Sequence, residues 1–184
     1  MRQLLELAGF VDRLNQRISR VVAWGVLLMI LLGAYNAIAR SLERRAGLPL
    51  SSNSLLELQW YLFGIGFLLA APYALRRGDH VRVDVVYDGL PRRGRIWIDL
   101  IGALVLLLPF CAFGVVLSLE FVYDSVVRNE WSNDPGGLPR WPIKIFVPSG
   151  FTLLGLQGVA SVIRSVDALR GSPTGEQEGA ADGQ

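Results

Sequence analysis

The chain is short of the residue types from which most catalytic and metal sites are built. Its 184 residues include one cysteine, Cys111, and one histidine, His80. A single thiol excludes an internal disulfide and any multi-cysteine metal site. Cys111 lies inside an apolar run, where a thiol packs as a small hydrophobe and ionises poorly. Lysine is equally scarce: Lys144 is the only one, and every other basic side chain is an arginine, a group that keeps its charge beside a low-dielectric phase. Charged residues form 18% of the chain and hydrophobic ones 52%, whereas a soluble domain carries about 25% charge. The net charge of +2 gives no reason to expect a nucleic-acid partner. There is no phosphate-cradling glycine loop, nucleophile elbow or HExxH pair. No enzyme activity, cofactor or metal is therefore expected.

What the sequence does have is long apolar runs. A hydrocarbon core of about 30 Å needs roughly 20 apolar residues in helical form. Four runs free of acids and bases approach or meet that length: 21–39, 58–75, 100–119 and 145–163. Lipid offers no hydrogen-bond partner, so the backbone must satisfy itself within each segment, which makes these runs helices. With frayed ends they predict spans at about 18–40, 55–75, 95–120 and 143–164. The fold class expected is an all-α membrane protein with about four transmembrane helices. The first run, ending in Ala37-Ile38-Ala39, shares features with a cleaved secretory signal. Its near-spanning length, the patterned segment before it and Arg40 directly after the would-be cut favour a retained span.

Residues 1–17 place Leu4, Leu7, Val11 and Leu14 at helical spacing, continued by Ile18, with Arg2, Glu6, Asp12, Arg13 and Arg17 around them. This pattern predicts an amphipathic interfacial helix, or else a plain extension of the first span. Residues 165–184 form a short tail, and from Gly171 onward it lacks large apolar residues and is expected to be largely disordered. The chain thus divides into 1–17, a four-helix domain over 18–164, and the tail. Twelve of the eighteen basic residues fall on the side shared by the termini and the 76–95 loop. The bias of positive charge toward the cytoplasm places both termini there.

Polar residues near the spans are the candidates for function. Ser54 and Glu57 are spaced as a capping box at the start of the second helix; an intramembrane ion-binding carboxylate is the alternative for Glu57. Arg40 ends the first span at the same boundary, and the short connection predicts an Arg40–Glu57 ion pair. Asp79, His80 and Asp84 could suggest a metal, but without a second histidine and among many arginines a structural loop is the better reading. Asp99 stands one turn from Arg95 and can pair with it. Glu57, Trp60, Tyr61, Gly64 and Ala71 share one face of the second helix; Gly150, Gln157, Gly158 and Ser161 share one face of the fourth. Small and polar residues so arranged mark helix contacts, within the bundle or to a partner. The structural or partner-contact candidates are therefore Arg40, Glu57, Trp60, Gly64, Gln157, Gly158 and Ser161. At the bilayer midplane Gln157 is the only hydrogen-bonding side chain, and a single amide is not a transport site.

In order along the chain stand Glu57-Leu58-Gln59-Trp60 with Phe63-Gly64, then Gly78-Asp79-His80-Val81-Arg82-Val83-Asp84, and Leu90-Pro91-Arg92-Arg93. Glu130-Trp131-Ser132, Gly137-Leu138-Pro139-Arg140-Trp141-Pro142-Ile143-Lys144, Pro148, Gly150, Leu153-Leu154 and Gln157 follow. Over residues 12–165 this series resembles the small, Q-type membrane subunit of tripartite ATP-independent periplasmic (TRAP) transporters. The resemblance implies a bacterial inner-membrane protein beside a large membrane subunit that carries the substrate and sodium sites. It also implies a periplasmic substrate-binding protein and secondary, sodium-driven symport. The small subunit would be a scaffold against which the large one moves, and the outer-loop sequence is similar to a branch associated with organic acids. Residue physics alone leaves three other readings open. A self-contained channel or transporter would need pore-facing polar groups. A quinone-linked thiol oxidase would need paired cysteines. An assembly subunit of another complex would need neither.

Overall fold

The computed structural model describes residues 1–46, 51–78 and 90–171. Expectations for Asp79, His80 and Asp84, and for the tail beyond Gly171, lie outside them. Helix α1 covers Arg2–Ala46 and α2 covers Asn53–Arg77. The third span begins as α3 (Arg92–Ile101), passes through a π-helical stretch (Gly102–Leu107) and continues as α4 (Leu108–Val127). The last helix, α5, covers Trp141–Leu169. Four helical stretches are long and apolar enough to cross a membrane: Arg2–Arg45, Asn53–Arg77, Arg92–Val127 and Trp141–Leu169. The all-α, four-span architecture expected from the apolar runs is present.

The π-helical stretch has a local cause. Pro109 has no N–H, and its ring crowds the carbonyl four residues back, so the ladder cannot stay regular through this turn. The helix widens just before the proline, the usual form of such a defect. At α2 the buried Pro72 frees the Leu68 carbonyl in the same way. Gly150 of α5 lies against that point: a Cβ there would come 2.9 Å from Leu68 Cβ and 3.2 Å from its carbonyl oxygen. Only a residue without a side chain lets the two backbones approach this closely.

Helix α5 is the centre of the bundle and packs on α1, α2 and α4. Its buried residues are Gly150, Gln157, Gly158, Ala160 and Asp167. Against α4 it seats Phe151 edge-to-face on Phe110 with ring centroids 5.6 Å apart, and the Phe151 ring lies over Gly114. Cys111 is buried opposite Gly155, as expected of a small packing residue. The outward faces are apolar, with Trp24, Leu31, Phe67, Phe113 and Val116 all exposed. Large apolar side chains on the outside and small or polar ones inside are the arrangement suited to a lipid solvent.

Helix α1 has 45 residues, a length of about 67 Å at 1.5 Å per residue, which far exceeds the hydrocarbon core. Its first turns run straight into the span without a break. The face they bury differs from the apolar stripe. Leu4 and Leu7 are exposed, while Ala8, Asp12 and Asn15 are buried.

Candidate functional site

Two polar clusters tie the bundle together, one at each end. The first joins α1 to α5 and α2. Asp12 and Asn15 lie three residues apart and so share a helix face. The Gln157 side chain of α5 is fully buried between them. It donates through Nε2 to Asp12 Oδ1 at 2.9 Å and accepts at Oε1 from Asn15 Nδ2 at 2.6 Å. Arg164, two turns further along α5, donates from Nη1 to Asp12 Oδ2 at 2.7 Å. Arg76 of α2 brings its Nε to 3.6 Å from the same oxygen. One buried carboxylate thus anchors three helices. An apolar surrounding makes each bond stronger and leaves any unpaired member costly.

The second cluster lies at the other end, where the 128–140 connection folds back on the start of α2. Glu57 is buried and accepts from the Leu138 amide at 2.5 Å and from the Ser132 hydroxyl. Ser54 donates to the Gly136 carbonyl, and the Tyr61 hydroxyl donates to the Pro139 carbonyl at 3.2 Å. Gly136 turns the chain at φ +72°, a conformation glycine adopts freely. Gly137 passes so close that a Cβ would come 2.9 Å from Glu57 Oε1. Behind this strap Glu130 accepts from Ser125 at 2.7 Å and from Lys144. Lys144 also sits 3.9 Å from the Phe121 ring centroid, a cation–π distance.

Two expectations are corrected here. Ser54 and Glu57 do not form a capping box. The helix begins after Ser52 with no side-chain cap, and both side chains bond to the outer strap instead. Among the described residues Arg40 and Glu57 form no ion pair. The strap supplies Glu57 with nearer donors, while Arg40 is exposed on α1, its carbonyl meeting Arg44 Nε at 3.4 Å. The other candidates fall as follows. A Cβ on Gly64 would stand 3.5 Å from Ile143 of α5, and one on Gly158 would stand 3.0 Å from Leu107 of the π-helical stretch. Ser161 meets Arg164 Nη2 at 3.5 Å. Trp60 is 44% exposed, outside the packed face that holds Glu57 and Tyr61. Asp12, Asn15, Ser132 and Leu138 belong to the clusters without having been picked out from the sequence. Their signal was faint: two polar residues three apart on an otherwise amphipathic segment, and a Gly-Gly turn opposite a carboxylate.

The Glu130 carboxyl is held below the usual glutamate range, mainly by the hydrogen bond from Lys144 and then by that from Ser125. A depressed folded-state value means that this contact stabilises the strap above the ordinary glutamate value of about 4.3. That stabilisation is lost as pH falls through the lower folded value. Trp131 fluorescence should therefore stay constant from neutral pH to about pH 4 and shift only below it. In Glu130→Gln the acid transition should shrink, since only Glu57 still binds the strap through a carboxylate. An unchanged transition in that variant would show that Glu130 does not govern it.

Four helices long and apolar enough to cross a membrane, tied by polar clusters at both ends, define a multi-pass membrane protein. The sequence profile of the family described as "Tripartite ATP-independent periplasmic transporters, DctQ component" matches residues 44–168. A relative, the "Ectoine TRAP transporter small permease protein TeaB" of Halomonas elongata, is 30% identical over 167 residues, covering 87% of this chain and 80% of its own length. No solved structure matches the chain. The chain belongs to the DctQ component family of TRAP transporters, as the ordered motifs along its four spans indicated. This is a family of transporter subunits and not of enzymes.

Proposed function

We propose that the chain is the small scaffold subunit of a sodium-driven TRAP transporter for an organic acid or similar small solute. In this reading it holds in place a large membrane subunit that carries the substrate and ion sites, and a periplasmic binding protein delivers the solute. Ectoine, in the relative's name, falls within the proposed solute class. The observation that carries the scaffold role is the state of Gln157. Its side chain is fully buried, and its donor and acceptor are both engaged, by Asp12 and Asn15. A carrier must replace a solute's lost hydration with polar groups near the bilayer centre. A fixed, internally bonded bundle suits the opposite role, a rigid surface beside a moving partner.

Both termini and the 76–95 loop face the cytoplasm in this proposal, on the charge bias of the loops. Fusions at the C-terminus that fluoresce only in the cytoplasm should be bright. The chain, extracted in mild detergent, should co-purify with a much larger multi-pass membrane protein. A dark C-terminal fusion would sink the orientation, and a chain that always purifies alone would sink the scaffold role.

A further inference from the structure

Helix α1 is out of step with the helices it packs on. Asp12 faces Arg76 at 3.6 Å and Arg164 at 2.7 Å. These arginines are the first charged residues beyond the apolar runs 58–75 and 145–163. The Asp12 cluster therefore marks where α2 and α5 leave their apolar stretches. On α1 the apolar run starts only at Val21. Asp12 beside Arg76, and Val22 against Gly66, fix the antiparallel register of α1 on α2. At 1.5 Å per residue, Arg17 stands about 7.5 Å and Arg20 about 12 Å past the mark. In this register they lie alongside the apolar residues 68–71 of α2.

Arg17 and Arg20 are exposed, and so is Arg13, one turn before Arg17 on the same face. Among the described residues no carboxylate or hydrogen-bond acceptor meets any of the three. Glu6, two turns back from Arg13, pairs with Arg2. Asp12 is buried on another face and engaged there, and residues 14–42 contain no acid. A cation level with apolar stretches of its neighbours is costly in hydrocarbon unless an opposite charge meets it.

A second feature lies beside the arginines. Trp24, one turn beyond Arg20, is 72% exposed. Next to it Gly25 leaves an open notch: a Cβ there meets nothing within 4 Å, whereas one on Gly33, Gly66, Gly114, Gly150 or Gly158 meets a neighbouring helix. Glycines in membrane helices allow close helix approach, and no helix of this chain uses Gly25. Lipid headgroups answer the arginines but have no use for the notch. A helix with acidic side chains answers both.

Given the scaffold role proposed above, we infer that the large membrane subunit docks on this side of α1, with carboxylates of one of its helices on Arg17 and Arg20 and its backbone close to Gly25. Arginine and tryptophan are the side chains enriched at the energetic centres of interfaces.

The test co-expresses the full chain with the large membrane subunit and measures how much large subunit is recovered with it in mild detergent. Phosphatidylglycerol retained by the chain is counted in parallel by native mass spectrometry. Arg17→Gln/Arg20→Gln breaks no bond within the chain, so it should fold as the wild type does and recover at least about tenfold less large subunit. Arg17→Lys/Arg20→Lys keeps both charges and should hold most of it. Gly25→Leu alters no charge, and its Cβ meets nothing in this chain, yet it should lower recovery as well. Undiminished recovery in Arg17→Gln/Arg20→Gln or in Gly25→Leu would overturn the inference and leave the scaffold role standing. Loss of phosphatidylglycerol from Arg17→Gln/Arg20→Gln with the large subunit still bound would overturn it too, by assigning the arginines to lipid headgroups. A wild-type chain that recovers no large subunit would overturn both the docking face and the scaffold role.

Discussion

Liposomes that contain this chain alone, loaded with a sodium gradient and offered an organic acid or ectoine, should show uptake no higher than empty liposomes. Adding the large membrane subunit and a loaded binding protein should give uptake, and omitting this chain should return it to background. The expectation follows from where the polar groups are. Asp12, Asn15 and Gln157 are buried and bonded to each other across α1 and α5. Glu57, the carboxylate near the opposite boundary, is closed off by Leu138 and Ser132. To take up a solute or ion, either cluster would have to break bonds that hold the bundle together. A group held in that way is poor at exchanging partners, since each unmet donor or acceptor in an apolar setting costs about 1–3 kcal/mol. Gln157→Leu should lower uptake by the full transporter through lost assembly, leaving the choice of substrate unchanged. Robust sodium-driven uptake by the purified chain alone would refute the scaffold role outright.

The spans were legible because lipid imposes a simple rule. Length and apolarity identify a crossing helix whatever its neighbours do, and the four runs sit inside the four observed helices. The small residues of α5 were legible for a related reason: close helix contact in lipid requires them, and Gly150, Gln157 and Gly158 are indeed buried. The polar contacts were not. A capping box is a local pattern, and Ser54 and Glu57 fit it, but a loop 75 or more positions away offered them better partners. Likewise Asp12 belonged by periodicity to the polar side of an interfacial helix. Only the approach of Gln157 and Arg164, some 150 positions later, turns that side inward. The Arg40–Glu57 pair failed because proximity along the chain says nothing about competing donors. Sequence periodicity describes which face is apolar; it does not describe which polar residue a distant helix will claim.

Replacing Asp12 should be the most destabilising single change in the bundle. Asp12→Ala leaves Arg164 and Arg76 without their carboxylate and Gln157 Nε2 without its acceptor. Removing one member of a buried pair typically costs 3–5 kcal/mol. Here the arginine side chains keep 24% and 35% exposure, which lets water recover part of the loss, so roughly 2–3 kcal/mol is expected. Asp12→Asn should cost less, since its amide oxygen can still accept from Gln157 while only the charge is gone. The pairing has a further signature. Once Asp12 is absent, Arg164 is a cation with nothing to face, so Arg164→Leu should be much less harmful in the Asp12→Ala background than alone. Unfolding free energies of the four proteins, measured in one mixed-micelle system, close a double-mutant cycle, and the coupling should exceed about 1 kcal/mol. The reason is specific to this cluster: one carboxylate serves α1, α2 and α5 together, so its loss is felt at every contact and cannot be repaired by local repacking. Strict additivity of the two changes would mean that Asp12 and Arg164 are neighbours without being partners. In that case the N-terminal third of α1 would be held by its apolar contacts and by the bonds of Asp12 and Asn15 to Gln157.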